Sequence, residues 1–230
     1  MLSDNLISHS DPKTILELGD DKIKQDLIGK FIDYGGQYKV FEYGETQVIK
    51  IPMCKEEIFY RIANWGHETL DYESKYRQLV MDRDTSLDLV FQSKLPLSYL
   101  AQTVKHNKII IQDKVRTWSQ VFDRLDISRQ KQCLDSLLNF YEVLWQYGIH
   151  ETVHCYTLNC GFDASENIVL FDFGELTGDL TKVKEDVEKS QILHSYSTRC
   201  LGEDTLSYMT KIVGGIWTAN NLEKLWLSKK

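Results

Sequence analysis

The sequence predicts an α+β chain of two lobes, a small antiparallel sheet lobe with one long helix followed by a mainly helical half. Three observations carry this. Between Phe31 and Pro52, short runs rich in aromatic and β-branched residues are broken by Gly35-Gly36 and Gly44, the texture of strands joined by tight turns. Between Asp126 and Gly148, the residues Cys133, Leu134, Leu137, Leu138, Tyr141, Leu144 and Trp145 form a helical stripe. From Leu176 onward the pattern stays helical, through Val183, Val187, Ile192, Leu193, Tyr196 and Leu201.

The elements follow in order. Residues 1–28 read as a polar lead-in and a helix started by Asp11-Pro12, with Ile15, Leu16, Leu18, Ile23 and Leu27 as its apolar positions. FIDYGG, QYKVFEYG and ETQVIKIP read as an antiparallel meander. A long helix is expected over residues 55–82. Ile58, Ile62, Trp65 and Thr69 mark one of its stripes, and Glu73, Tyr76 and Val80 another. Strands return at LSYLAQTV and KIIIQDKV, joined by His106-Asn107. Asp126 and Ser128 open the strong helix, and Gly148 ends it. A loop, HETVHCYTLN, leads to the strand NIVLFDFG. No Pro/Gly/Ser linker divides the chain. The lobes are assigned to residues 1–115 and 116–230, with a cleft between them.

Composition narrows the class. The chain has 230 residues and a formal net charge of −7, which argues against binding a nucleic-acid backbone. No apolar run reaches the roughly 18 residues of a membrane span, and the start shows no signal peptide, so a cytoplasmic protein is expected. Five cysteines at scattered spacings suggest reduced thiols rather than a disulfide framework.

Two motifs compete for one loop. His150-Glu151-Thr152-Val153-His154 is a literal HExxH. On a helix this string sets two imidazoles on one face to hold zinc, with the glutamate as general base. Cys160, Glu166 and Glu175 are the candidate third ligands of a zinc-dependent hydrolase. Against it stand Gly148, two residues before the motif, and the β-branched pair Thr152-Val153. Accidental matches to so short a string also occur.

The second constellation is wider. Asp172-Phe173-Gly174-Glu175 closes the apolar strand Ile168–Phe171, and Asn159 lies 13 residues before Asp172. Val48-Ile49-Lys50 follows two strands, and Gly35-Gly36 sits in the hairpin before it.

With these motifs, in this order and at this spacing, the chain resembles the protein-kinase-like fold over about residues 28–180. In particular it resembles short bacterial kinase-like proteins with an Asn-x-Gly loop end and a D-x-G-E metal strand. The resemblance implies a two-lobed fold that binds ATP or another nucleotide with Mg²⁺. It matches Lys50 to the phosphate-neutralising lysine and Asn159 and Asp172 to the metal ligands. Gly35 and Gly36 match the phosphate-covering turn, and Gln112 to Val115 the hinge that takes the base. Glu73 is favoured as the helix glutamate that pairs with Lys50, with Glu56, Glu57 and Glu68 as rivals.

The departures are as informative. The catalytic aspartate of the kinase loop falls five residues before the asparagine, where this chain has His154. Only 55 residues follow Glu175, so a truncated C-terminal lobe without a peptide platform is expected. A pseudokinase acting through a regulatory protein partner is one outcome. An atypical phosphotransferase on a small-molecule acceptor is the other, with His154 or Glu151 as its base. His154 also reads as a structural loop histidine.

Overall fold

The computed structural model describes residues 23–64 and 71–229. Residues 1–22 of the expected lead-in helix, and Trp65, Glu68 and Thr69, lie outside the described residues; where its end was expected, Gln25–Leu27 is a 3₁₀ turn and Ile28 opens a strand. The chain divides into two units. One comprises residues up to 81 together with 102–114, and the other residues 82–101 and 115 onward. Sequence placed the boundary at 115/116, and the structure adds that residues 82–101 belong with the second unit.

The first unit is built on a five-stranded antiparallel sheet of order β1-β2-β3-β5-β4. Its strands are β1 (Ile28–Tyr34), β2 (Tyr38–Tyr43), β3 (Gln47–Pro52), β4 (Val104–His106) and β5 (Ile109–Asp113). Alternation sorts the faces. Phe41, Tyr43, Ile49, Ile51, Ile109 and Ile111 join Ile23 in one apolar core. The helix α1 (Lys55–Asn64) follows β3. Its Ile58 and Ile62 pack with Met53 against Tyr34, Tyr72, Tyr76, Leu79 and Val80. The single helix expected over 55–82 is two helices, because α2 (Tyr72–Gln92) is a separate element that runs ten residues further. Leu97–Leu100, read as strand, is a 3₁₀ turn.

The second unit is mainly helical. Its short strand β6 (Arg116–Thr117) leads into α3 (Trp118–Val121) and then α4 (Ile127–Gln146). Asp126 caps α4 by accepting from Arg129 N, and the whole predicted stripe from Leu134 to Trp145 is buried. Gly148 ends it at φ +71°, a left-handed conformation that glycine adopts without strain. Leu227 N and Lys229 N then donate to the last carbonyls of the helix, Trp145 O and Gln146 O, each at 3.1 Å.

After α4 come β7 (His150–Glu151), the single turn α5 (Tyr156–Asn159), β8 (Cys160–Phe162), β9 (Ile168–Leu170) and β10 (Leu176–Thr177). Four helices close the unit: α6 (Leu180–Glu188), α7 (Tyr196–Arg199), α8 (Glu203–Ile216) and α9 (Ala219–Leu225). The architecture is α+β, a small antiparallel sheet unit and a mainly helical unit. Among the described residues, no helix is long and apolar enough to cross a membrane.

Candidate functional site

The HExxH segment is not helical. His150 and Glu151 form β7, paired antiparallel with β10 as Thr177↔His150 and Leu176↔Glu151. Thr152 extends that tie, its backbone N and its Oγ1 both donating to Glu175 O. His154 sits at φ +49°. The β-branched pair thus lies in an extended turn rather than a helix, as its stiffness favours.

The two imidazoles nevertheless meet a common carboxylate, Asp186 of α6. His154 Nε2 lies 2.9 and 3.0 Å from the two Asp186 oxygens. His150 Nε2 lies 3.3 Å from Oδ1, out of line for a hydrogen bond. Burial alone raises the Asp186 pKa, but the imidazoles overcome it and bring it down to about 2. Together the three residues are the one cluster of three or more His, Cys, Asp or Glu side chains close enough to share an ion among the described residues.

Trp145 opposes that use. Its indole N–H donates to His150 Nδ1 at 3.0 Å. A neutral imidazole has one lone pair and one N–H, so His150 keeps its proton on Nε2, facing Asp186. Burial also lowers the His150 pKa, which keeps the ring neutral at pH 7. Such a ring offers no lone pair toward Asp186, whereas a metal-bound histidine donates from its other nitrogen.

Glu151 is 1% exposed. Its Oε2 accepts from Tyr141 OH and its Oε1 from Asn159 Nδ2, both at 3.0 Å. Burial raises its pKa, against the pull of His154, Tyr141 and Asn159. His154 is equally buried, and its Nδ1 stands 3.9 Å from Glu151 Oε2. The rings of Tyr141 and Trp217 pack on it at 5.9 and 5.6 Å.

The two expected metal ligands come together. The backbone carbonyl of Asn159 accepts from Phe171 N at 2.9 Å and from Asp172 N at 3.2 Å. The β8–β9 ladder, in which Cys160 faces Leu170, sets up this clasp. Among the described residues, no side chain or backbone donor bonds to Asn159 Oδ1 or to the Asp172 carboxylate. Glu175 is close by. Burial raises its pKa, and the charges of Glu151 and Asp172 raise it further, while the Asn159 side chain lowers it. Hard oxygen donors in an acidic setting suit Mg²⁺.

The other predicted residues belong to the first unit, apart from Val115. Lys50 is buried and, alternating with Ile49 and Ile51, stands on the sheet face opposite the apolar core. It is registered between Val40 and Ile110. Gly35 N closes the β1–β2 turn onto Tyr38 O, and Gly36 has open space around its Cα. Gln112 is 1% exposed with its Oε1 unpartnered. Val115 opens the second unit and crowds Gly161, where a Cβ would lie 2.9 Å from its Cγ2.

Glu73 does not face inward as its stripe suggests. It is held at the surface by Lys55 at 2.7 Å and Arg77 at 3.7 Å. A buried helix–sheet pair is formed instead by Glu57 with Lys39 of β2, at 2.7 Å. Sequence reading also missed Asp186. Its signal was its place three residues after Val183 and next to Val187, on the apolar face of α6.

No protein-family model and no curated protein matches the chain. Solved structures do. WbdD, at 2.2 Å, is 15% identical, with a TM-score of 0.44 over 80% of this chain and 45% of that one. WbdD with the kinase inhibitor LY294002 is 16% identical, with a TM-score of 0.41 over 79% and 45%. Rv3197 with erythromycin, from Mycobacterium tuberculosis, is 13% identical, with a TM-score of 0.42 over 87% and 59%. The chain thus spans about half the length of these structures.

Proposed function

We propose that the chain is a kinase-like nucleotide-binding protein that takes ATP, or another nucleotide, with Mg²⁺. The observation that carries this reading is the backbone clasp between Asn159 and Asp172, which brings the main chain of these two residues together beside Glu175. In this reading those two side chains hold the cation, which supplies charge neutralisation for the phosphates. Lys50 adds a fixed positive charge, Gly35 and Gly36 cover the phosphates, and the main chain from Gln112 to Val115 takes the base.

The pseudokinase form of the reading is favoured. His154 and Glu151 are each 1% exposed, and each is already bonded to neighbouring side chains. A base role for either requires the loop to open. The chain then acts by binding nucleotide and presenting the bound form to a protein partner. Calorimetry with ATP, with and without Mg²⁺, tests it. Binding is expected, with the metal-dependent gain lost in Asp172→Ala and affinity weakened in Lys50→Met. No binding at millimolar nucleotide overturns the reading. Phosphate transfer to a small metabolite that requires His154 replaces the pseudokinase by a phosphotransferase.

A further inference from the structure

Glu151 is the one acid of the HExxH string, yet no substrate can reach it where it lies. Its two oxygens are both engaged, Oε2 by Tyr141 OH and Oε1 by Asn159 Nδ2. The consequence falls on Asn159. An asparagine amide has two ends of nearly the same shape, one a donor and one an acceptor, and only its hydrogen bonds choose between them. An ionised carboxylate only accepts. As placed, Glu151 takes the nitrogen end of the amide, and in its ionised form it repels the oxygen end.

We infer that Glu151 is a positioning residue for Asn159: held by Tyr141, it binds the amide N–H and leaves Oδ1 turned outward as a cation ligand. This rests on the nucleotide–Mg²⁺ reading above. It gives the central glutamate of the string a purpose unrelated to zinc. If the amide turned over, Oδ1 would face a carboxylate oxygen at about the present 3.0 Å separation, and an NH₂ group would face the cation. Both contacts are repulsive.

The isosteric change Glu151→Gln makes the test sharp. The new side chain fills the same space and removes a buried charge, so a merely packing role predicts an unchanged or more stable protein. Its own NH₂ can donate to Oδ1, however, which lets the Asn159 amide turn over. ATP affinity is measured by calorimetry with and without Mg²⁺. Glu151→Gln is expected to keep the metal-free affinity and to lose about tenfold or more of the metal-dependent gain, the usual effect of a lost outer-shell partner. Tyr141→Phe, which removes only the hydroxyl donor, is expected to lose several-fold of that gain. It provides the same readout if Glu151→Gln fails to fold.

Asn159→Asp supplies the rescue. A carboxylate has no wrong end, so adding Asn159→Asp to Glu151→Gln is expected to restore the gain. In the wild-type background the same change sets two carboxylates together and is expected to weaken it. Retention of the full gain in both Glu151→Gln and Tyr141→Phe overturns the inference alone. A wild type with no metal-dependent gain overturns the nucleotide–Mg²⁺ reading, and this inference with it.

Discussion

Trp145 and His150 share a hydrogen bond of 3.0 Å in which the indole N–H donates to Nδ1, and neither side chain is more than 1% exposed. The bond fixes the tautomer of the first histidine of the HExxH string. Purified protein is therefore expected to contain no stoichiometric zinc by elemental analysis. One zinc per chain, lost in His150→Ala, would contradict the tautomer. Trp145→Phe leaves Nδ1 buried without a partner and is expected to lose about 1–3 kcal/mol in urea unfolding from that alone.

His150 also gives stability a pH dependence. Burial lowers its pKa from the ordinary 6.5, so the unfolded chain binds a proton that the folded ring refuses. The contribution is present above pH 6.5 and is lost as pH falls below it. Asp186, brought down to about 2, adds a loss of the same sign only below the ordinary carboxylate value of 3.8. Glu151, raised by burial, has the opposite sign, its contribution being present at low pH and lost as pH rises. His150→Asn keeps an oxygen acceptor for Trp145 and removes the titration. Its denaturation midpoint is expected to fall less than wild type between pH 7 and 5, and an unchanged slope would contradict the assignment.

Lys39 and Glu57 are 7% and 14% exposed at their side chains, and Glu57 Oε2 also accepts from Cys54 N, so it both pairs with the sheet and caps the start of α1. Removing the carboxylate by Glu57→Ala takes one partner from the Lys39 ammonium and the cap from the start of α1, and is expected to cost about 1–3 kcal/mol. The double change Lys39→Met with Glu57→Leu is expected to cost less than Glu57→Ala alone. Equal losses in urea titrations would show that the cap, not the charge pair, carries the effect.

Gly161 has no room for a side chain. A Cβ there would stand 2.8 Å from Arg116 O, and the pairing Thr117↔Gly161 holds that backbone in place. Gly161→Ala is expected to cost about 1–3 kcal/mol, read as a lower thermal midpoint. No change would mean that β6 moves away at little cost.

Much of this was legible in the sequence, and the exceptions share a cause. The meander showed because alternation is a local property, with Phe41, Tyr43, Ile49 and Ile51 all on one face. The adjacency of Asn159 and Asp172 showed through spacing, because a β8–β9 hairpin of fixed length returns the chain to its start. What stayed hidden depends on distant pairing. The HExxH string is extended because it borders Leu176 and Thr177, and nothing within the string announces that. Glu73 shares a stripe with Tyr76 and Val80, yet Lys55, on another helix, holds it outside. Asp186 sits on the apolar face of α6, but nothing near it in sequence announces the two histidines that reach it from another segment.

The capping of α4 by Leu227 and Lys229, and the packing of Trp217 against His150, His154 and Trp145, also set an order in time. The loop leaves the ribosome well before the residues that enclose it. At ordinary synthesis rates that lag is on the order of ten seconds. For that interval Trp145 and both histidines lack one wall, and the buried side of the loop stays open to water and to chaperones. The second unit therefore completes its interior late, when residues made later close over a segment made much earlier.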